Sequence, residues 1–304
     1  MSLKGVFYRY SDINFLTDRL RPVCIINGVD YPLGIFVVTT ETHELNNGCQ
    51  TTEIEAYSLL YLAQRKKIEE RVSILSGESY ITKIIGLLSS CGINDIESEP
   101  TNYTFNTNRE DWDIGTPVLD IVNQLLNEIN YNSAWINLKG VVKLTPYEPP
   151  SISNVQHTYS AGEYSIIQSD YKRTTDRFGK YNVFRVICEN PDLNQPMVAI
   201  SENNSPDSPF STVYIGRILY VEQVDNIPSQ SALQLYADKL KYQSLQETES
   251  IEFYTAISPE HAVNDVVALD NGDIAGIYYE TEWRLPMSAD AYITHKARRI
   301  YIDS

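Results

Sequence analysis

The side chains best suited to binding a metal ion in this chain are its histidines and cysteines. The four histidines are His43, His157, His261 and His295. No two of them form an HxH or HxxxH pair, so we expect isolated histidines with satisfied hydrogen bonds and no locally assembled metal site. The four cysteines are Cys24, Cys49, Cys91 and Cys188. They contain no CxxC pair, which indicates reduced, buried thiols without a zinc or redox function.

The motifs that could support catalysis are incomplete. Residues 76–80, SGESY, contain G-x-S but lack the second glycine of a nucleophile elbow, and helix capping explains the serines better. Residues 270–273, DNGD, lack the alternating oxygen ligands of a calcium loop, and Asn-Gly between strands is a common hairpin turn. With 40 Asp and Glu residues, a catalytic carboxylate pair cannot be chosen from the sequence. The sequence therefore predicts no catalytic, cofactor-binding or metal-binding residue.

Nucleotide-binding and nucleic-acid-binding functions are not indicated either. The sequence contains no GxxxxGK[ST] phosphate loop and no GxGxxG fingerprint. It has 24 Lys and Arg against 40 Asp and Glu, a formal net charge of −16, and a pI of about 4.7. Phosphate backbones are held mainly by clustered Lys and Arg, so this acidic balance argues against a free-standing nucleic-acid-binding protein.

The overall composition is that of a folded protein. The chain has 304 residues, of which 42% are hydrophobic and 21% are charged, and this length suggests two domains. Tyrosine is abundant, with 22 residues against 8 Phe and 3 Trp, which favours strands and contact surfaces. No apolar run is long enough for a membrane span, and the first residues do not form a secretory signal, so we expect a protein made in the cytosol.

The first half of the chain predicts strands followed by helices. Residues 22–26 and 31–38 are apolar runs joined through the turn dipeptide Asn27-Gly28, and residues 51–57 alternate as a half-buried strand does. The basic cluster at residues 65–67 is interpreted as a solvated stretch in preference to an anion site.

Two helices and a hairpin are predicted next. Apolar residues recur at helical spacing in 78–91, and Gly92 is placed to end that helix. A second helix is predicted with Thr116 as its cap and Pro117 as its first residue. Residues 133–147 predict a hairpin, and Pro149-Pro150 marks the clearest boundary in the chain.

The second half returns to strands. We predict them at residues 181–188, 212–221, 250–257, 265–269, 276–284 and 291–301. A helix capped by Ser229 or Ser231 precedes the third of these, and residues 189–210 are expected to form a long exposed loop. The chain as a whole reads as α+β, mainly antiparallel β, with three helices set between groups of strands.

Several segments follow one another in a recognisable order. In the first half they are YPLGIF (31–36), TTEIEAY (51–57), the helix at 79–92, WDIGTPVLDIV (112–122), 126–131, NLKG (137–140) and PYEPP (146–150). In the second half they are YNVFRV (181–186), SPDSP (205–209), the helix at 232–240, ISP (257–259) and NDVV (264–267). This order resembles the tail hub family (baseplate hub, tail-associated proteins) of phages, prophages and phage-like contractile particles, which is structurally related to VgrG-type spike hubs.

The resemblance implies two β-barrel-like domains with an inserted helix-plus-hairpin module. The N-terminal hub domain would be residues 1–75, the α/β module 76–150, and the C-terminal barrel-like domain, with one helix, 151–304. The region before residues 18–22 is short for the family, which bears on how complete the N-terminal barrel is. No peptidase or lysozyme-like domain follows the hub region, which removes the main reason to expect cell-wall hydrolysis.

The resemblance further implies a homotrimeric ring at the tip of the tail tube, joined to the tube, the spike and the baseplate. The protein would be a virion component made in the bacterial cytoplasm, with no enzymatic activity, cofactor or membrane anchor. An acidic inner wall would let DNA pass without binding it. Strand positions and subunit contacts are expected for tyrosines such as Tyr57, Tyr147, Tyr181, Tyr236 and Tyr278.

Two alternatives stay open at the level of the sequence. One is a hub that also degrades peptidoglycan or a surface polysaccharide. The other is an unrelated carbohydrate-binding β protein that uses exposed Tyr and Trp as stacking platforms.

Overall fold

The structure, a computed structural model, describes residues 1–8, 13–162, 166–176, 178–189, 196–206, 208–246, 248–262, 264–288 and 290–301. The chain divides into two compact units, Met1–Pro146 and Tyr147–Ser304. The fold is mostly antiparallel β with five helices and two curled half-barrel sheets, which confirms the predicted fold class. The three-part division with boundaries at residues 75 and 150 stays a prediction.

The first unit begins with six strands. They are β1 (Ser2–Tyr8), β2 (Arg19–Leu20), β3 (Val23–Ile26), β4 (Val29–Pro32), β5 (Phe36–Asn46) and β6 (Cys49–Ser58). Four of them form an antiparallel sheet in the order β1-β6-β5-β2, and β3 and β4 form the predicted hairpin. Asn27 and Gly28 have φ values of 52° and 80°, the left-handed conformation that this turn requires. The sequence does not predict β1, because Gly5 interrupts its apolar alternation.

The remainder of the first unit contains three helices and a small sheet. They are α1 (Leu60–Arg65), α2 (Tyr80–Ser90), α3 (Val118–Glu128), β7 (Ile96–Ser98), β8 (Trp135–Ile136) and β9 (Val142–Leu144). The strands lie in the order β7-β9-β8, with β7 parallel to β9. The hydroxyl of Ser79 accepts the N–H of Thr82 at the start of α2, and Gly92 follows its end at φ 79°, as predicted.

Helix α3 begins one residue later than the sequence predicts. Pro117 has an extended backbone (ψ 138°) and is the N-cap, so Val118 is the first helical residue. The hydroxyl of Thr116 instead donates to the carbonyl of Asp113 at 2.7 Å. Thr116 is therefore not the cap, because the prolyl residue after it has not yet entered the helix.

Over its described residues, the second unit contains nine strands and two α-helices. They are β10 (Val155–Ser160), β11 (Ile167–Thr175), β12 (Val183–Cys188), β13 (Met197–Glu202), α4 (Thr212–Ile215), β14 (Leu219–Val224), α5 (Gln230–Gln246), β15 (Glu249–Thr255), β16 (Val266–Asp270), β17 (Gly276–Arg284) and β18 (Ile293–Arg299). Six strands form one sheet in the order β10-β16-β17-β18-β15-β11, in which only β10 and β16 pair in parallel. The other sheet has the order β13-β12-β14 and packs on α5.

The sequence misses several elements of the second unit. The polar stretch before residue 181 contains β10 and β11, and most side chains of β11 are exposed, so its sequence lacks an apolar alternation. Residues 197–202 pair with β12, so the expectation of a continuous exposed loop over 189–210 is wrong, although residues 190–195 and 207 lie outside the described ones. Residues 212–215 are helical where a strand was expected, and Gly216 ends that turn at φ 76°.

The other predicted elements of this unit are confirmed. Ser229 caps α5, since its hydroxyl accepts the N–H of Ala232 at 3.1 Å. The last three predicted strands correspond to β16, β17 and β18, and residues 270–273 turn between β16 and β17. Among the helices of the described residues, none has the length and apolar character that crossing a bilayer would require.

Candidate functional site

Three of the four histidines meet two carboxylates inside the second unit. His157 lies on β10, Glu280 on β17 and His295 on β18, while His261 and Asp265 lie in the connection from β15 to β16. We call these five residues the histidine cluster. Four of them are buried, and the side chain of His157 is 19% exposed.

The strand periodicity places Glu280 and His295 at buried positions of the six-stranded sheet. On β18 the buried residues are Ile293, His295 and Ala297, which alternate with exposed or half-buried neighbours. On β17 Tyr278 and Glu280 follow the same alternation. Each polar residue therefore takes a position that the pattern assigns to the apolar core.

The centre of the cluster is the Glu280 carboxylate between two imidazoles. Its Oε2 accepts a hydrogen bond from Nδ1 of His261 at 2.7 Å, and its Oε1 accepts one from Nδ1 of His295. The outer nitrogens also have partners. Nε2 of His261 is 2.5 Å from the Tyr159 hydroxyl, and Nε2 of His295 is 2.8 Å from the Thr255 hydroxyl.

The second carboxylate of the cluster is held from two sides. Oδ2 of Asp265 is 3.1 Å from Nε2 of His157 and accepts the N–H of Ala262 at 2.8 Å. The ring of His157 stacks on that of His261, with 4.1 Å between centroids. The His157–Asp265 pair is thus in direct contact with His261, which is hydrogen-bonded to Glu280.

The environment sets the charge of these groups. Burial opposes ionisation of Glu280, but the hydrogen bonds from His261 and His295 outweigh it and lower the pKa of the carboxyl. Burial lowers the pKa of His295, against the opposing effect of Glu280. The hydrogen bond to Asp265 raises the pKa of His157. At neutral pH the centre therefore holds an ionised Glu280 beside a neutral His295.

The expectation of isolated histidines is wrong for these three, although their hydrogen bonds are satisfied. His43 fits it better, because it lies on β5 in the first unit and its Nδ1 is 2.8 Å from the Thr52 hydroxyl. The available signal was a histidine and a glutamate at inward-facing positions of predicted strands.

The serine and cysteine candidates from the sequence have no catalytic partner among the described contacts. The hydroxyl of Ser76 donates to the carbonyl of Asn106 at 3.0 Å, and all four cysteines are free thiols. Only Cys188 is buried, whereas Cys49 is exposed, so the expectation of buried thiols is wrong for the others.

A second feature of this unit is an exposed apolar surface on the three-stranded sheet. Its outward side chains are Val198 and Ile200 of β13 and Leu219 and Val221 of β14. The register aligns Ile200 and Val221 on either side of Arg185 of β12. We call the four aliphatic side chains, which flank the exposed Arg185, the apolar sheet face. Ile200, Leu219 and Val221 are each at least 50% exposed, which is typical of a protein-contact surface.

The neighbouring helix α4 presents further apolar side chains. Val213 is 68% exposed and Tyr214 is 62% exposed, with the Tyr214 hydroxyl donating to the carbonyl of Pro206. In the described part of the chain, β13 and β14 pair only with β12, so each leaves one edge for another strand.

The tyrosines expected at subunit contacts divide into two groups. Tyr57 and Tyr181 are 42% and 40% exposed, and Tyr147 is half-buried. Tyr236 lies on helix α5 and Tyr278 lies in the sheet core, and both are buried. Tyr278 lies in strand β17, as expected, but burial of both side chains contradicts the expected subunit contact, because the tyrosine count does not reveal which face a side chain takes.

Comparison with known proteins identifies the fold. No protein-family model matches the sequence, and no curated protein matches it. A tail protein from Neisseria meningitidis MC58 has a TM-score of 0.69 at 11% identity, over 98% of this chain and 87% of its own. The 43 kDa tail protein of prophage MuSo2 from Shewanella oneidensis has a TM-score of 0.65 at 9% identity, over 98% and 88% of the two chains.

A component of the type VI secretion system is also similar. The E. coli c3393 protein has a TM-score of 0.51 at 9% identity, over 93% of this chain and 64% of its own. The chain therefore has the fold of phage and prophage tail proteins, shared with type VI secretion components. The resemblance read from the order of its segments is confirmed at the level of the fold.

Proposed function

We propose that this chain, which has the fold of phage tail proteins, is a structural tail or baseplate hub protein of a phage, a prophage or a phage-like contractile particle. In this proposal it is a homotrimeric adaptor that joins the tail tube to the spike and the baseplate. Residues 1–75 and 151–304 are the two barrel-like hub domains, and residues 76–150 are the module between them. The single observation that carries the proposal is a shared fold over 98% of the chain with two tail proteins.

The apolar sheet face supports a role in assembly. The three-stranded sheet is mixed, since β13 pairs antiparallel and β14 pairs parallel with β12, and a sheet face covered only by water is generally polar. Here the outward face carries Val198, Ile200, Leu219 and Val221. We therefore place a contact between copies of this chain on that face.

The burial of the histidine cluster argues against the enzymatic alternative. His261 and His295 are 0% exposed and Glu280 is 2% exposed. Hydrolysis of a cell-wall polymer requires the catalytic carboxylates to reach the substrate. This group has the residue types of an acid–base centre, but it is closed to a polymer.

The net charge of −16 fits a ring that DNA crosses. Negative charge on the inner wall would repel the phosphate backbone and reduce binding during passage. The protein would be made in the bacterial cytoplasm and would then belong to the tail of the virion.

Light scattering of the purified chain tests the proposal. We expect a trimer of the 34.6 kDa protomer, either for the chain alone or after addition of the spike protein from the same tail gene cluster. A chain that stays monomeric under both conditions, or that clears cell walls in a zymogram, would contradict the structural hub.

A matched pair of variants locates the contact. Ile200→Asp combined with Val221→Asp should abolish the trimer, because two charges would be buried at the interface without partners. Ile114→Asp, at a residue of the first unit that is 67% exposed, should leave the trimer unchanged. Equal loss with both proteins would show that the apolar sheet face is not the contact.

A further inference from the structure

Two carboxylates of the histidine cluster are buried together. Glu280 is 2% exposed and Asp265 is 7% exposed. Among the described residues, the only basic side chains within 4.0 Å of either carboxylate are His157, His261 and His295. Burying carboxylates is costly unless a positive charge compensates them. A divalent cation would balance both.

The potential ligand atoms of the cluster converge. One atom each from His261, Glu280 and His295 lies within 4.8 Å of the other two, and the same holds for His157, His261 and Asp265. Nδ1 of His261 is 2.7 Å from Oε2 of Glu280 and 4.0 Å from Oδ2 of Asp265. Ligands bound to zinc at about 2.0–2.2 Å in a tetrahedron lie about 3.3–3.6 Å apart. The 2.7 Å contact is a hydrogen-bond distance, so Glu280 must move away from His261 to admit an ion, whereas Asp265 must move closer to it.

The Nε2 atoms of His261 and His295 have hydrogen-bond partners, as the second ring nitrogen of a metal-bound histidine generally does. A histidine that binds a metal through one nitrogen generally donates its other N–H to an oxygen, which fixes the ring. Nε2 of His261 has the Tyr159 hydroxyl as its partner, and Nε2 of His295 has the Thr255 hydroxyl. When an ion binds, the single proton of each neutral ring would leave Nδ1, where it is hydrogen-bonded to Glu280, and sit on Nε2, where it donates to the hydroxyl, so that the two Nδ1 lone pairs face the ion.

We propose that the second unit binds one divalent transition-metal ion, represented by Zn²⁺, through His261 Nδ1, His295 Nδ1, Glu280 and Asp265. Two imidazoles and two carboxylates form a donor set suited to this class of ion. His157 is a positioning residue, because its Nε2 contacts the Asp265 carboxylate. With four buried protein ligands the ion is structural, and it ties β17 and β18 to the connection between β15 and β16. This inference is independent of the hub function.

Zinc content and thermal stability of the full-length chain test the proposal. The protein is unfolded in guanidinium with EDTA, refolded with or without ZnCl₂, and passed through gel filtration. We expect about one zinc per chain by elemental analysis, and a higher Tm for the zinc-loaded protein, because an ion that binds only the folded state stabilises it. Co²⁺ in place of zinc should give the visible absorption of a four-coordinate site.

Three variants make the test specific. Glu280→Gln keeps the shape of the side chain but removes the anionic ligand, and it should lose the bound zinc. Thr255→Val removes the partner of His295 Nε2 and should weaken zinc binding about 10–100-fold in a chelator competition. His43→Gln, at the histidine outside the cluster, should bind zinc as the wild type does.

Three results would overturn the inference. One is a wild-type chain that refolds with a native circular dichroism spectrum and retains no zinc. The second is zinc bound equally by the wild type and Thr255→Val, which decides the question even if Glu280→Gln does not fold. The third is bound zinc that EDTA removes without any change in Tm, which would indicate adventitious surface binding.

Discussion

Replacing Lys239 with methionine should stabilise the second unit. Lys239 lies on α5 and is 7% exposed, and its Nζ is 5.4 Å from the centroid of the Tyr147 ring. Burial lowers the pKa of this amine from 10.5 to about 8. At 1.36 kcal/mol per pKa unit, keeping the amine charged at pH 7 costs about 3 kcal/mol. Loss of the contact with Tyr147 and of the other interaction of this side chain offsets part of that cost, so the net gain should be about 1 kcal/mol.

The pH dependence gives this prediction a second readout. The pKa of Lys239 is lower in the folded chain than in the unfolded chain, so the unfolded chain binds more protons between about pH 8 and 10.5. The wild type should therefore gain stability as the pH rises through this window, by about 1 kcal/mol between pH 7 and 9 relative to the variant. Burial raises the pKa of Tyr278 and Tyr279 to about 12, and an unfolded tyrosine titrates near 10, so their contribution begins above pH 9 and the comparison is restricted to pH 7–9.

Urea unfolding at pH 7, 8 and 9, followed by far-UV circular dichroism, measures both effects. Lys241→Met, at a half-buried lysine of the same helix, is the matched control; its Nζ is 4.6 Å from the centroid of the Tyr242 ring and its burial is lower, so the substitution should destabilise the chain by about 0.5–1 kcal/mol. A Lys239→Met chain that is less stable than the wild type at pH 7, or a difference that does not shrink by pH 9, would refute the reasoning.

Three further predictions concern the first unit, and urea unfolding checks each. Arg109 donates to both oxygens of Glu128 at 2.8 and 3.0 Å inside the core, so Arg109→Met at pH 8 should lower the free energy of unfolding by about 3–5 kcal/mol. Arg71→Met, at an exposed ion pair, should lower it by less than about 1 kcal/mol, and equal losses would contradict this reasoning. Burial raises the pKa of Glu128 to about 7 against the effect of Arg109, so the first unit should lose stability as the pH rises from 5 to 8. Glu128→Gln should make the unfolding free energy less dependent on pH in this range, and an unchanged dependence would exclude Glu128 as its source. Gly140 has φ 88°, and a Cβ at this position would lie 2.5 Å from Cδ1 of Ile35. Gly140→Ala should therefore lower the free energy of unfolding by about 1–3 kcal/mol, and an unchanged value would show that Ile35 moves away freely.

The sequence by itself determined most of the local structure. The Asn27-Gly28 turn, the cap at Ser79 and the end of α2 at Gly92 each depend on a few adjacent residues, and the structure confirms them. The order of such segments was also sufficient to indicate the tail-protein fold. The sequence did not predict strands whose local pattern is weak. Examples are β11, whose side chains are mostly exposed, and β13, which follows a polar stretch.

The histidine cluster was decided by the tertiary structure alone. Alternation on β17 and β18 shows that Glu280 and His295 share a face with the core residues of each strand. It does not show which strands are neighbours, because a period of two residues carries no information about sheet order. His157 reaches Asp265, 108 positions away, only because β10 pairs in parallel with β16 at the edge of the sheet. That pairing depends on the burial of the whole apolar face, which no short segment encodes.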